Sequence, residues 1–266
     1  MKRNFFPLIA LLAGFGVVIY GIVGGGGVIS AFIDFPSLFI VLGGSLGALA
    51  IVYPLSTIKK IPKLFGVVLS ESATSLKALP DIFKQLSQKT KTQGGRGVLE
   101  LESSLDEIDD EFFKRGIQMV MDGADADKIR TVLEADLDAL EERHSTNQAM
   151  LAKWSTLAPG FGMIGTVIGL IVMLGDLGGG ADELGAGMAT ALITTFYGSV
   201  FQNLIFDPLT ENLKKKTGEE VFFRRVMIEG LVLLQGGVNP SVLKEQLVVY
   251  LSPSERAEVL SEERGE

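Results

Sequence analysis

Thr166, Thr190, Thr194 and Thr195 stand inside long apolar runs that hold no Asp, Glu, Lys, Arg or His, and Thr166 follows Pro159 by about two helical turns. Hydroxyls in such surroundings either bond back to carbonyls of their own helix or offer oxygen ligands to a small cation that sheds part of its water. Pro159 donates no backbone N–H and frees a carbonyl, which favours the second reading but equally describes a simple kink. Thr166 and Thr195 are the candidates for one shared ion path, with Thr194, Pro159 and Met163 beside them; Pro208 ends the last apolar run. Sodium could be held transiently at Thr166 and Thr195, and no firm metal site is expected. The runs contain no carboxylate, so a conduit built from them needs a partner to supply the charge.

Other patterns carry less. Gly160-Phe-Gly162-Met-Ile-Gly165 matches the spacing of a dinucleotide-binding loop, but that loop needs a preceding strand and a helix start in water, and here it lies within an apolar run. Close helix packing is the physical alternative: Gly165 and Gly169 are four apart, and Gly43, Gly44, Gly47, Gly187, Ala191 and Gly198 add small residues to the neighbouring runs. Such residues let backbones approach within a bundle and between subunits. The acidic cluster from Asp122 to Asp127 lacks calcium-loop spacing and a closing Glu, and reads as a solvated turn. His144 is the only histidine and there is no cysteine. Histidine-based and thiol catalysis and Cys-ligated metals therefore have nothing to build on, and no catalytic residues, enzyme activity or cofactor are expected.

The elements that must position the threonines are four apolar runs at 5–23, 37–53, 154–175 and 184–206. Each is near the ~20 residues that cross a ~30 Å hydrocarbon core. Lys2 and Arg3, Lys59, Lys60 and Lys63, Lys153, and Lys214 to Lys216 flank them on one side, while the connectors 24–36 and 176–183 hold Asp34, Asp176, Asp182 and Glu183 and no Lys or Arg. The positive-inside rule then places both termini and the long middle loop in the cytoplasm, and Tyr53 and Trp154 fall at the expected interfaces. Met1-Lys2-Arg3 before an apolar run also describes a secretory leader. This run is longer than usual and has no Ala-x-Ala site, so it is read as a retained span.

The expected fold is therefore an all-α integral membrane protein: transmembrane helices 1 and 2 (1–53), a helical cytoplasmic loop domain (54–153), transmembrane helices 3 and 4 (154–206), and cytoplasmic C-terminal helices (207–266). A composition of 47% hydrophobic and 21% charged residues fits a chain part membrane and part aqueous. The net charge of -8 argues against a nucleic-acid partner. In the loop, the acidic run from Leu99 to Ile117 predicts an amphipathic helix or helix pair. Asp122-Gly123 marks a turn and Asp125 an N-cap. Ile129, Val132, Leu133, Leu137 and Leu140 give one helix face, on a helix that could continue unbroken into the third span. In the tail, Val226 to Leu234 turns amphipathic, and Asn239-Pro240 opens a last short helix before a frayed end at 261–266.

At the level of motifs the chain resembles the MotA/PomA flagellar stator family. The run from Leu157 to Leu170 (LAPGFGMIGTVIGL), the run from Ala189 to Gly198 (ATALITTFYG) and Asp207-Pro208 carry the resemblance, together with Gly97 to Glu102 (GVLELE), Met121 to Ala126 (MDGADA) and Glu141 to His144 (EERH). The resemblance implies a homopentamer in the bacterial inner membrane around a dimer of a MotB/PomB-like single-span protein that bears an essential Asp. Ion binding at that Asp would turn the ring, whose cytoplasmic loop pushes on the rotor's switch ring. It also implies that Pro159 and Pro208 are conformational prolines, that Thr166 and Thr195 line the ion path, and that rotor-facing charges lie near Arg96, Glu100 and Glu102. The basic pair the family pattern expects before this last stretch is Gly94-Gly95 here, with Arg96 displaced towards the glutamates.

Sodium needs several oxygens whereas a proton needs a carboxylate and water, so Thr166 and Thr195 tilt the expected transported ion towards Na+ over H+. Two other readings stay open from sequence: a TolQ/ExbB-like energiser of an outer-membrane process, against which the additional N-terminal span argues, and a non-conducting membrane scaffold.

Overall fold

The computed structural model describes residues 4–70, 75–91, 110–175 and 181–262. Among them the regular elements are helices: α1 (Phe6–Gly24), α2 (Phe35–Leu38), α3 (Gly44–Val52), α4 (Leu55–Ile58), α5 (Ile61–Val68), α6 (Leu79–Lys91), α7 (Glu111–Met121), α8 (Ala126–Gly175), α9 (Ala181–Val200), α10 (Asp207–Gln235), α11 (Pro240–Val248) and α12 (Pro253–Glu262). Wider π-helical stretches at Phe39–Gly43 and Phe201–Phe206 join α2 to α3 and α9 to α10. Among the described residues four segments are long and apolar enough to cross a membrane, Phe6–Gly24, Ile29–Val52, Ala126–Gly175 and Leu184–Gln235, and each apolar run named above falls on one of them. The chain divides into two compact units, Met1–Glu71 with His144–Lys216 and Ser72–Arg143 with Thr217–Glu266.

In the first unit α1 leaves Phe6, Leu12, Val17 and Tyr20 exposed and buries no residue within the chain, as suits a helix whose apolar surroundings are lipid. Asp34 starts the second span by accepting the Ser37 N–H at 2.8 Å. Below it, Leu49, Leu64, Met150, Leu151, Leu209 and Leu213 form one buried cluster. Lys216 donates to the carbonyls of Val67, Val68 and Ser70, so one ammonium caps the orphan carbonyls at the end of α5. The π-helical turn before α10 has a covalent cause. Pro208 cannot donate to the carbonyl four residues back and its ring would strike it, and a widened turn upstream absorbs the misfit.

In the second unit the core lies where α6, α7, α8, α10 and α11 meet, around Phe83, Ile117, Leu133, Leu137, Leu231 and Leu243. Phe83 meets Phe113 edge-on at 5.3 Å. Asp125 caps α8, accepting from Lys128 N–H at 2.7 Å, after a turn in which Gly123 adopts φ +73°, and α8 runs unbroken past Lys153. Two expectations are corrected, for Val132 and for the last helix. Val132 is 39% exposed while Ile129, Leu133, Leu137 and Leu140 are buried, so it stands off the apolar stripe. Asp110 caps α7 through Phe113 N–H at 2.8 Å, so a helix begins at Glu111; the rest of the acidic run lies outside the described residues. The helix opened by Asn239-Pro240 is not the last, because α12 follows. Ser252 and Glu255 form its capping box, with Ser252 N–H on the Glu255 carboxylate at 3.1 Å and Ser252 Oγ on the same oxygen at 2.5 Å.

Arg130 grips Glu229 through both guanidinium nitrogens at 2.6 and 2.8 Å. That hydrogen bonding holds the Glu229 carboxyl below the ordinary carboxylate value, against the opposing effect of burial. A depressed folded value stabilises the protein above the ordinary carboxylate range, and this contribution is lost as pH falls through the depressed value. Glu229→Gln is expected to cost about 1 kcal/mol near neutral pH. Urea unfolding of the two proteins at a series of pH values checks this: their midpoints should converge in acid.

Candidate functional site

The site is built on the facing surfaces of α8 and α9. A Cβ added to Gly169 would lie 2.5 Å from the Gly187 carbonyl oxygen and 2.6 Å from the Ala191 nitrogen, and one added to Gly187 would lie 2.8 Å from the Gly169 carbonyl oxygen. Gly162 faces the Thr194 carbonyl at 2.9 Å on the same test, Gly165 faces the Thr194 side chain, and Gly198 faces the Ala158 carbonyl at 2.9 Å and Pro159 Cα at 3.0 Å. The small residues expected to permit close packing thus seat these two helices on each other within one chain. Gly44 in the second span likewise accommodates the Phe161 ring, whereas Gly47 and Gly160 have nothing within 4 Å.

This contact brings Thr166 and Thr195 together. Their Oγ1 atoms are 2.5 Å apart; Thr166 Oγ1 lies 2.9 Å from the Ala191 carbonyl and 3.1 Å from that of Gly162, and Thr195 Oγ1 lies 3.3 Å from the same Ala191 carbonyl. Each hydroxyl has one proton and two lone pairs. With the protons committed to carbonyls or to each other, lone pairs remain for a cation. Thr195 is exposed and Thr166 half-buried, so the pair opens onto the surface of the chain.

The other expected residues are placed differently. Thr194 is fully buried and donates to the carbonyls of Thr190 and Ala191 at 2.9 and 3.1 Å, turned into the glycine contact and away from the exposed hydroxyl pair. Met163 is 64% exposed, about one turn from Thr166. Pro159 sits within α8 without ending it, packed at Gly198, and its missing N–H takes the usual helical donor from the Ser155 carbonyl. Pro208 is exposed at the start of α10. Arg96, Glu100 and Glu102 lie outside the described residues.

Two features had no assigned role in the sequence reading, and a third, Trp154, was expected only at an interface. Tyr197 places its hydroxyl between the connector and the fourth span: it donates to the Phe32 carbonyl at 2.6 Å and accepts the Asp34 N–H at 3.0 Å. The signal was available, because a phenol within an apolar run must find a polar partner. Ser155 donates to the Asp207 carboxylate at 2.5 Å, tying α8 to α10 beside the Pro208 break; a lone carboxylate directly before that proline was its trace. Trp154 donates from Nε1 to Ser45 Oγ at 2.9 Å and stacks on Phe206 with ring centres 4.2 Å apart, so it anchors the packing between spans. Tyr197→Phe removes both connector bonds and leaves the Phe32 carbonyl and Asp34 N–H without them, a loss of about 1–3 kcal/mol. Faster hydrogen exchange at Asp34, with little change in the second unit, is the expected readout.

A model of the MotA/TolQ/ExbB proton channel family matches residues 104–225. Motility protein A of Borreliella burgdorferi is 36% identical over 263 residues, 99% of this chain and 100% of that one. Motility protein A of Treponema pallidum is 39% identical over 251 residues, covering 94% and 95% of the two chains. A chain in the structure of the flagellar MotAB stator complex from Bacillus subtilis superposes with a TM-score of 0.87 at 32% identity, covering 94% of this chain and 98% of that one.

Proposed function

Because the chain belongs to the MotA/PomA flagellar stator branch of the MotA/TolQ/ExbB proton channels and is an ion-conducting subunit of that motor, we propose that its coupling ion is sodium and that the ion passes the Thr166–Thr195 pair. The observation that carries this is the convergence of the two hydroxyls, 2.5 Å apart and both close to the Ala191 carbonyl, on an otherwise uncharged surface. Several neutral oxygens at one place replace part of a cation's hydration, while proton transfer has no use for them. Thr194, buried in the helix contact, holds the pair in place, and Met163 borders the path.

The spans carry no carboxylate, so the charge that attracts the ion comes from a MotB/PomB-like single-span subunit, present as a dimer inside a ring of five copies of this chain. Neutralising that carboxylate releases it from the pair, and Pro159 and Pro208, each lacking a backbone donor, let spans three and four change angle as the ring advances. The chain lies in the inner membrane with both termini and the 54–153 loop in the cytoplasm, where Arg96, Glu100 and Glu102 meet the rotor's switch ring.

The test is to co-express the chain with its MotB-like partner in a stator-deficient host and measure swimming speed against external sodium at fixed pH. Speed should rise and saturate with sodium. Swimming that ignores sodium would assign the proton instead, and failure to restore motility would remove the rotor-coupling reading.

A further inference from the structure

A groove of about 450 Å³ opens between α1, the end of α5 and the start of α10. Phe6, Ala10 and Leu11 form one wall, Phe65 and Leu69 a second, and Leu204 and Pro208 the third, leaving Asn212 as the polar residue of the lining. Asn212 Oδ1 is buried and has no hydrogen-bond partner among the described residues. A buried acceptor left so costs about 1–3 kcal/mol. The groove therefore suits a ligand that is mostly hydrocarbon with a hydrogen-bond donor at one end.

The charge around that end indicates which. Lys216 lies one turn beyond Asn212 on the same helix face, and its ammonium is fixed against the end of α5 by Val67, Val68 and Ser70. Lys59, Lys60 and Lys63 are exposed along α5 and the turn before it, beside exposed Leu55, Phe65 and Val67. Exposed lysines interleaved with exposed apolar side chains describe a helix lying in a membrane surface and drawing anionic headgroups to it. From Leu204 to Asn212 the groove is about 12 Å long, and it runs from wholly apolar to an end with a buried acceptor one turn before Lys216.

We propose that the groove binds one acyl chain of an anionic phospholipid whose headgroup carries a hydroxyl, as phosphatidylglycerol does, with the hydroxyl donated to Asn212 Oδ1 and the phosphate beside Lys216. The proposal rests on the chain's lying in a membrane and is independent of which ion it conducts. Because Leu204 and Ile205 belong to the π-helical turn and Pro208 follows it, the lipid chain braces the break in the fourth span.

The experiment is native mass spectrometry of the full chain with its MotB-like partner, extracted in mild detergent and titrated with phosphatidylglycerol or phosphatidylethanolamine. Saturable phosphatidylglycerol binding at least tenfold tighter than phosphatidylethanolamine is expected. Ala10 and Ile9 are both exposed on α1, but only Ala10 lines the groove. Ala10→Trp should lower phosphatidylglycerol occupancy at least tenfold and Ile9→Trp should not, while Asn212→Leu should weaken phosphatidylglycerol binding severalfold and leave the preference that the Lys216 charge supplies. An unliganded wild-type complex, the result if a neighbouring copy covers the groove, would overturn the proposal, as would equal binding of the two lipids or undiminished binding by Ala10→Trp. If Ala10→Trp does not assemble, the wild-type titration and Asn212→Leu still decide. None of these readouts needs a rotating motor, so a failed swimming test and a failed lipid test are separable.

Discussion

Gly169→Leu is expected to abolish motility by preventing the third and fourth spans from meeting. The added Cβ alone would stand 2.5 Å from the Gly187 carbonyl oxygen and 2.6 Å from the Ala191 nitrogen. Both are backbone atoms, so no side chain can swing aside. Inserting carbon into a fitted core costs about 1–3 kcal/mol when neighbours can shift, and here two helices would have to separate, taking Thr166 away from Thr195. Gly160→Ala is the comparison, since a Cβ there meets nothing within 4 Å. Immunoblots of membrane fractions should show Gly169→Leu depleted or degraded and Gly160→Ala at the wild-type level. Equal accumulation of both, with the hydroxyl pair intact, would mean that the glycine contact is not what seats these helices.

Thr195→Val is expected to leave the protein abundant and slow it by at least tenfold. Thr195 is exposed, and Thr166 Oγ1 still reaches the Ala191 carbonyl at 2.9 Å, so removing one hydroxyl orphans no buried group. What it removes is an oxygen that a partly dehydrated cation would use. Interactions between a hydroxyl and a charge are worth about 1.5–3 kcal/mol, or roughly 10–100-fold in ion affinity. The sodium concentration for half-maximal speed should rise by about that factor, and Thr195→Ser, which keeps the oxygen, should restore most of the response. A sodium response unchanged in Thr195→Val would refute the ion-path assignment while leaving the stator role in place.

The sequence disclosed long-range order more readily than local exceptions. Uninterrupted apolar runs located the spans because a charge in hydrocarbon is costly. Asp125 and Gly123 were readable as a cap and a turn because each role has few eligible residues. Val132 was misplaced because spacing alone cannot fix the edge of an apolar stripe. The π-helical stretches at Phe39–Gly43 and Phe201–Phe206 left no pattern in hydrophobicity, although Pro208 gives the second a cause. The helix Pro253–Glu262 has a signature in Ser252-Pro-Ser-Glu255, a capping box masked by the Asn-Pro helix start before it. At the site, the pairing of Thr166 with Thr195 was readable from types and spacing, whereas the separation of buried Thr194 from exposed Thr195 depends on how far each helix is rotated about its axis. The Tyr197 clamp joins residues 163 and 165 positions apart, a distance at which periodicity carries no information.

Trp154 is the single tryptophan of the chain, and its ring lies against Phe206 and is bonded to Ser45. The unlabelled protein therefore carries one indole, excitable apart from its four tyrosines and stationed at the junction of three spans, and its stacking partner Phe206 lies two residues before Pro208. Its emission maximum, set by the polarity around the ring, is an optical gauge of fourth-span motion, readable in a working motor complex if the partner's own tryptophans are removed.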